Sequence, residues 1–158
     1  MEQVDCPDAA AESATGKRTT VILNYSEGTR EVRHGGSRSW RNDNPGNIRP
    51  GYLQGEIGKA GGFAVFSSES AGQSAIVENL GRPAFQGQTV NDAVATWAPP
   101  RENNTEAYQA TLQNLTGLNG DTLISTLNQA QLGSVANAIR SIEGWTPGTR
   151  TCWRQKAQ

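Results

Sequence analysis

Few side chains in this sequence can move a proton or hold a ligand, and their types narrow the chemistry. The chain has 158 residues, with 15 Asp and Glu, one histidine (His34) and two cysteines, Cys6 and Cys152. One imidazole serves a Cys-His nucleophile or a His-rich metal site poorly. Carboxylate chemistry is therefore the first candidate, with neither metal nor cofactor expected. The carboxylate in the most unusual setting is Glu143, within AIRSIEGWTPGTRTCW at residues 138 to 153. It follows Ile139 by four residues and Ile142 by one, which puts it at the margin of a helix's apolar stripe. It also lies near the C-terminus of that helix, where the dipole's partial negative charge disfavours it. Both effects penalise the ionised form, as a general acid working near neutral pH requires. On spacing alone a structural role stays open, in which Glu143 pairs with Arg140 or Arg150 and simply ends the helix.

Other candidates carry the same two readings. Glu31 lies on a predicted hairpin, on the face opposite Leu23 and Val32, and is either a second carboxylate or an exposed strand residue facing Arg33 or Asn24. Glu69 suits the first turn of a helix, where the dipole favours a carboxylate, and is also a candidate substrate contact. Glu102, in PPRENNTEAY, is a candidate groove residue, and Tyr108 fits either the core or the site. In the NPGN turn, Asn44 and Asn47 either build the turn or offer amides to a hydrogen-bonding ligand. Trp40 and Trp97 either stack on sugar faces or fill the core, with burial favoured for Trp97.

These residues must be positioned by a small set of elements. The alternation of Val21, Leu23 and Tyr25, a turn at SEGT and a return through Arg30, Val32 and His34 predict a β-hairpin over 19 to 34. Residues 35 to 66 carry too much Gly and Pro for a long helix and read as an ordered loop with short strands. Helices then follow over 70 to 80, from Thr89 to the prolines at 99 and 100, from Thr105 to Gly117, briefly from Asp121, and from about Ser134. In the fourth of these, Leu123, Ile124 and Leu127 are expected inward. Residues 1 to 18 are small and polar and read as a flexible lead-in, leaving 19 to 158 as one domain.

Composition removes further classes. Lys and Arg number 14 against 15 acids, a net charge of -1, so no global field draws the protein to nucleic acid. No stretch approaches the ~20 apolar residues of a membrane span. MEQVDCPDAAAESATGK lacks a basic region followed by an apolar segment, so export, if any, is expected to bypass the Sec route. Cys6 and Cys152 are either free thiols of a reducing compartment or one disulfide, which chain entropy would make worth about 4 to 5 kcal/mol.

The segments WRNDNPGNIR, GGFAVFSSESAGQSAIVENL and WAPPRENNTEAY resemble those of phage and bacterial cell-wall-degrading domains with a lysozyme-like fold. The general layout is similar to glycoside hydrolase family 73, the peptidoglycan N-acetylglucosaminidases, over about residues 35 to 145. The resemblance implies an α+β, mostly α domain with a small β-hairpin, cleaving β-1,4 bonds of peptidoglycan as an N-acetylglucosaminidase or muramidase. It also implies a tyrosine near the acid, for which Tyr108 is the match. In many relatives the acid precedes NNPGN, whereas IRSIEGWTPG comes last here, so the order looks circularly permuted. A Cys6 to Cys152 bridge would give permutation the neighbouring termini it needs. The chain further resembles type VI secretion glycoside hydrolase effectors, antibacterial toxins injected into a rival's periplasm and blocked by an immunity protein. The competing class is a phage endolysin or a virion module that binds glycan without cutting it; an amidase is disfavoured by the single histidine.

Overall fold

The computed structural model describes residues 1 to 51 and 53 to 156. The chain divides into two compact units, 1 to 75 with 144 to 158, and 76 to 143. The first is built on strands β1 (Glu2–Val4), β2 (Ser13–Gly16), β3 (Thr20–Asn24), β4 (Arg30–His34), β5 (Glu56–Ala60), β6 (Phe63–Phe66) and β7 (Thr149–Arg154). They form one sheet in the order β1-β7-β4-β3-β2-β5-β6. The expectation of a mostly α, lysozyme-like and circularly permuted domain with one small hairpin is thereby corrected: among the described residues a seven-stranded sheet accompanies six α-helices.

The strands that pattern reading passed over have physical reasons to be quiet. β1 and β2, in the segment read as a flexible lead-in, are three and four residues of largely exposed, polar sequence. They earn their place through ladder hydrogen bonds to β7 and β3, which leave no hydrophobic period to read. β5 and β6 form a hairpin whose turn glycines, Gly61 and Gly62, have φ of 60° and 83°, the conformation a tight two-residue turn demands. β7 is the last strand in sequence yet pairs between β1 and β4, and Cys152 on it is bonded to Cys6 with the Cα atoms 5.2 Å apart. The disulfide reading of the two cysteines is the one realised.

The hairpin over β3 and β4 forms as expected, but its returning strand faces the other way. Leu23 pairs with Glu31, Val21 with Arg33, and Ile22 with Val32. Directly paired residues share a face, so Glu31 and Arg33 point inward with Leu23 and Val21, while Val32 is only partly covered. The apolar part of this unit gathers Ala11, Val21, Leu23, Tyr25, Ala60 and Val65. A short helix α1 (Arg38–Arg41), capped by the Ser37 hydroxyl accepting from the Trp40 amide, leads into the NPGN turn.

Helix α2 (Glu69–Leu80) carries the chain across the unit boundary at 75/76. The second unit contains α3 (Pro83–Gln86), α4 (Val90–Trp97), α5 (Thr105–Thr116), a 3-10 turn at Ile124–Thr126 and α6 (Gln129–Glu143). The caps follow the sequence closely. Thr89 Oγ1 accepts from the Asp92 amide at the start of α4, and Gly117, with φ of 72°, ends α5. α6 begins five residues before the expected Ser134. Asn128 Oδ1 accepts from the Gln131 amide while Gln131 Oε1 accepts from the Asn128 amide, a reciprocal capping box. The helix expected from Asp121 is only the 3-10 turn, with Ile124 and Leu127 buried and Leu123 exposed. The core of this unit packs Leu80, Val94, Leu112, Ile124, Val135 and Ile139 around a void of about 10 Å³.

Candidate functional site

Helix α6 ends on Glu143 because Gly144 takes a φ of 89°, a left-handed stop that glycine adopts without a Cβ penalty. The Glu143 side chain is half-buried. In the same unit, Tyr108 projects from the first turns of α5 into the core and is 6% exposed. Its hydroxyl is buried and closes no hydrogen bond of ordinary geometry. The carboxylate that bears on it is Glu143: burial first, then the charge and acceptor oxygen of Glu143, push the phenol well above its usual range. An unsatisfied buried hydroxyl is unfavourable by about 1 to 3 kcal/mol, so this one stands out from a well-satisfied core. Of the other residues foreseen in this unit, Glu102 is exposed in the turn before α5, and Trp97 is half-buried at the end of α4 with its ring centroid 5.8 Å from that of Phe85.

In the first unit the sequence-predicted residues separate into framework and surface. Asn44 has no exposed surface; its Nδ2 donates to the Ile48 and Ala64 carbonyls and its Oδ1 accepts from the Ile48 amide. Its amide group is spent on holding the turn against β6. Asn47 sits at φ 47° and its Oδ1 accepts from Arg38 Nε at 3.2 Å. Trp40 is buried at 7% exposure and Glu69 is exposed at the start of α2. These two share an open cleft of about 310 Å³, together with Asp8, Asp43 and Trp145.

Glu31 is at the centre of an ion network rather than at a surface. It is wholly buried and accepts from Tyr25 Oη at 2.7 Å, from Arg33 Nε, and from Arg150 Nε at 2.9 Å and a second Arg150 nitrogen at 3.2 Å. Burial alone would raise its pKa, but the hydrogen bonds from Arg150 and the charge of Arg33 win and hold it below the ordinary carboxylate range. Arg33 extends the network, donating to the Trp40 carbonyl at 2.6 Å and to Asp43 Oδ1 at 2.8 Å, with its guanidinium over the Trp40 ring. Asp43 ends it: burial pushes this carboxyl up, Arg33 pulls it back, and the charges of Glu31 and Glu69 add to the rise. Tyr25 is pushed up by burial and by its hydrogen bond to Glu31.

Sequence reasoning set Arg33 beside Glu31 only as exposed strand neighbours, offered Arg150 to Glu143 rather than to Glu31, and gave Asp43 no role. A usable signal was present for Arg33: it stands two residues from Glu31 on one strand, so the two share a face and neutralise one another there. Arg150 had no local signal, being 119 residues from its partner. Among the described residues, the one cluster with metal-ligand geometry is Cys6, Cys152 and Glu31, and both sulfurs are already committed to the disulfide. The sequence matches no protein-family model, and no curated protein matches it.

Proposed function

We propose that the protein hydrolyses the β-1,4 glycan strand of peptidoglycan, with Glu143 as general acid. The observation that supports this most is the buried, unpartnered hydroxyl of Tyr108 bearing on a half-buried helix-end carboxylate. A phenol in that position is unfavourable to the fold and useful to a carboxyl group that must change charge. Glu143 in its protonated form donates to the glycosidic oxygen as the bond to C1 breaks. The carboxylate left behind then receives a hydrogen bond from Tyr108 Oη.

Glu31 is not the second carboxylate of this reading, because it has no surface and is held by two arginines and a tyrosine. The substrate's own 2-acetamido oxygen therefore closes on C1, and water opens the resulting ring while Glu143 takes back a proton, so that the acid is regenerated. The same reading makes the chain an antibacterial effector acting in a rival's periplasm and blocked by an immunity protein. The Cys6–Cys152 bond suits such an oxidising destination.

The test is digestion of purified peptidoglycan by wild type and by Glu143→Gln, with reducing-end sugars identified by mass spectrometry. Wild type is expected to release muropeptides and Glu143→Gln to release them at least about 100-fold more slowly. Equal release by the two proteins, or none by wild type, rejects the assignment. N-acetylglucosamine or muramic acid at the new reducing end separates the two possible bonds.

A further inference from the structure

Arg41 is a buried cation that, among the described residues, meets no carboxylate. It is 8% exposed, and backbone alone holds its guanidinium. Nη1 donates to the Gly35 and Gly36 carbonyls at 2.9 and 2.7 Å, and Nη2 to the Arg18 carbonyl at 2.8 Å. Nε has no acceptor among the described residues. Burial pulls its pKa below the usual arginine range, and no acid offsets that pull. Carbonyls solvate a guanidinium without neutralising it, whereas buried charges are ordinarily matched by an opposite one.

The fold collects further cations around this one. Thr20 pairs with His34 and Gly16 with Ala60, so the turns at residues 17 to 19, 35 to 36 and 61 to 62 all emerge at one end of the sheet. Arg41 bridges the first two, and a Cβ at Gly61 would lie 3.8 Å from Arg18 Cα. Lys17, Arg18 and Lys59 are exposed there, and none of the three has an ion-pair partner among the described residues. The runs that reach this end, 15 to 21, 33 to 37, 58 to 64 and 146 to 150, contain no Asp or Glu. Acids stand at the opposite end instead: Glu12 ahead of β2, Glu27 in the turn between β3 and β4, and Glu56 at the start of β5. The net charge of -1 thus conceals a separation of charge along the sheet, and a positive end concentrates anions locally whatever the total.

We infer that this end of the sheet binds a phosphate group, with Arg41 as the buried anchor and Lys17, Arg18 and Lys59 as the surrounding cations. Phosphate suits the site better than a carboxylate does. It brings up to two negative charges where a carboxylate brings one, and its oxygens match the planar fork of an arginine. At Gly35, whose carbonyl holds Arg41, an added Cβ would meet nothing within 4 Å, so the surface beside that carbonyl is open to a ligand. The site is independent of the chemistry proposed for Glu143.

The full-length, oxidised protein is titrated with pyrophosphate by calorimetry, with sodium chloride at matched ionic strength as the control and thermal unfolding in parallel. The expected results are saturable binding with a dissociation constant of about 1 mM and a raised unfolding temperature. Lys17→Gln combined with Arg18→Gln should weaken binding about tenfold. That double variant alters exposed side chains and leaves the Arg18 carbonyl in place, so Arg41 keeps its hydrogen bonds. Arg41→Lys, checked for folding by circular dichroism, should abolish saturation. Glycerol phosphate and dimethyl phosphate then identify the source: binding of the monoester alone points to a small phosphorylated molecule, and equal binding of both points to a phosphodiester. No saturable binding at millimolar pyrophosphate, a response no larger than that to chloride, or unchanged affinity in the double variant overturns the inference.

Discussion

Arg150 Nε lies 2.9 Å from Glu31 Oε2 although the two residues are 119 apart in sequence. This contact exists because β7, the last strand, is laid against β4 with Arg150 paired to Arg33 and Cys152 paired to Glu31. Two cations thus converge on one buried carboxylate, and the C-terminal strand is tied to the hairpin by charge as well as by ladder hydrogen bonds.

Removing the carboxylate should therefore be severe. Glu31→Ala leaves Arg33 largely buried with only Asp43 as counter-charge, and Tyr25 Oη without its acceptor. A loss of about 3 to 5 kcal/mol in urea unfolding is expected. The network also sets a pH dependence. Glu31 has a folded pKa below its unfolded one, so its stabilisation is present above the unfolded value of about 4.3 and is lost as pH falls through the folded value. Between about pH 5 and pH 3 the wild type should lose stability more steeply than Glu31→Ala, as read by thermal unfolding across that range.

Cys6 and Cys152 close a loop with a sequence separation of 146. The chain-entropy model assigns such a loop about 5 kcal/mol. Cys6→Ser with Cys152→Ser, or reduction of the wild type, should lower the urea midpoint accordingly without changing the order of the remaining strands. Equal midpoints with and without reductant would show that the sheet edge holds β1 against β7 unaided.

Gly72 brings α2 close against the loop that carries Asp43. A Cβ there would fall on the Asp43 carbonyl oxygen and against the Pro45 ring. Backbone cannot yield as a flexible side chain can, so Gly72→Ala should cost about 2 to 3 kcal/mol despite the better helix propensity of alanine. The shift should fall on Asp43, already at a φ of 47°, and show as a change in tryptophan fluorescence from Trp40.

How much of this was written locally explains what could be read. The caps at Thr89, Gly117 and Gly144 are short-range chemistry, and α2, α4 and α5 appear close to their expected limits. The sheet was largely hidden because β1, β2 and β7 are specified by partners far along the chain, not by their own alternation. Glu31 and Arg33 hid the face of β4: a strand whose inward residues are charged reads as turned over until each charge is matched with its partner. The approach of Glu143 to Tyr108 depends on α5 and α6 packing together, which the two amphipathic patterns allow but neither states.

Tyr108→Phe separates a role in chemistry from a role in packing. The hydroxyl makes no hydrogen bond of ordinary geometry and is buried beside Leu112 and Val135, so its deletion should leave stability unchanged or raise it by about 1 kcal/mol. If the phenol serves Glu143, turnover on peptidoglycan should nonetheless fall about tenfold, by the loss of one hydrogen bond to a charged group. A variant that is as stable and as active as wild type would remove Tyr108 from the mechanism; one that is stable but slow, with kcat lowered and KM unchanged, would place its hydroxyl on the acid.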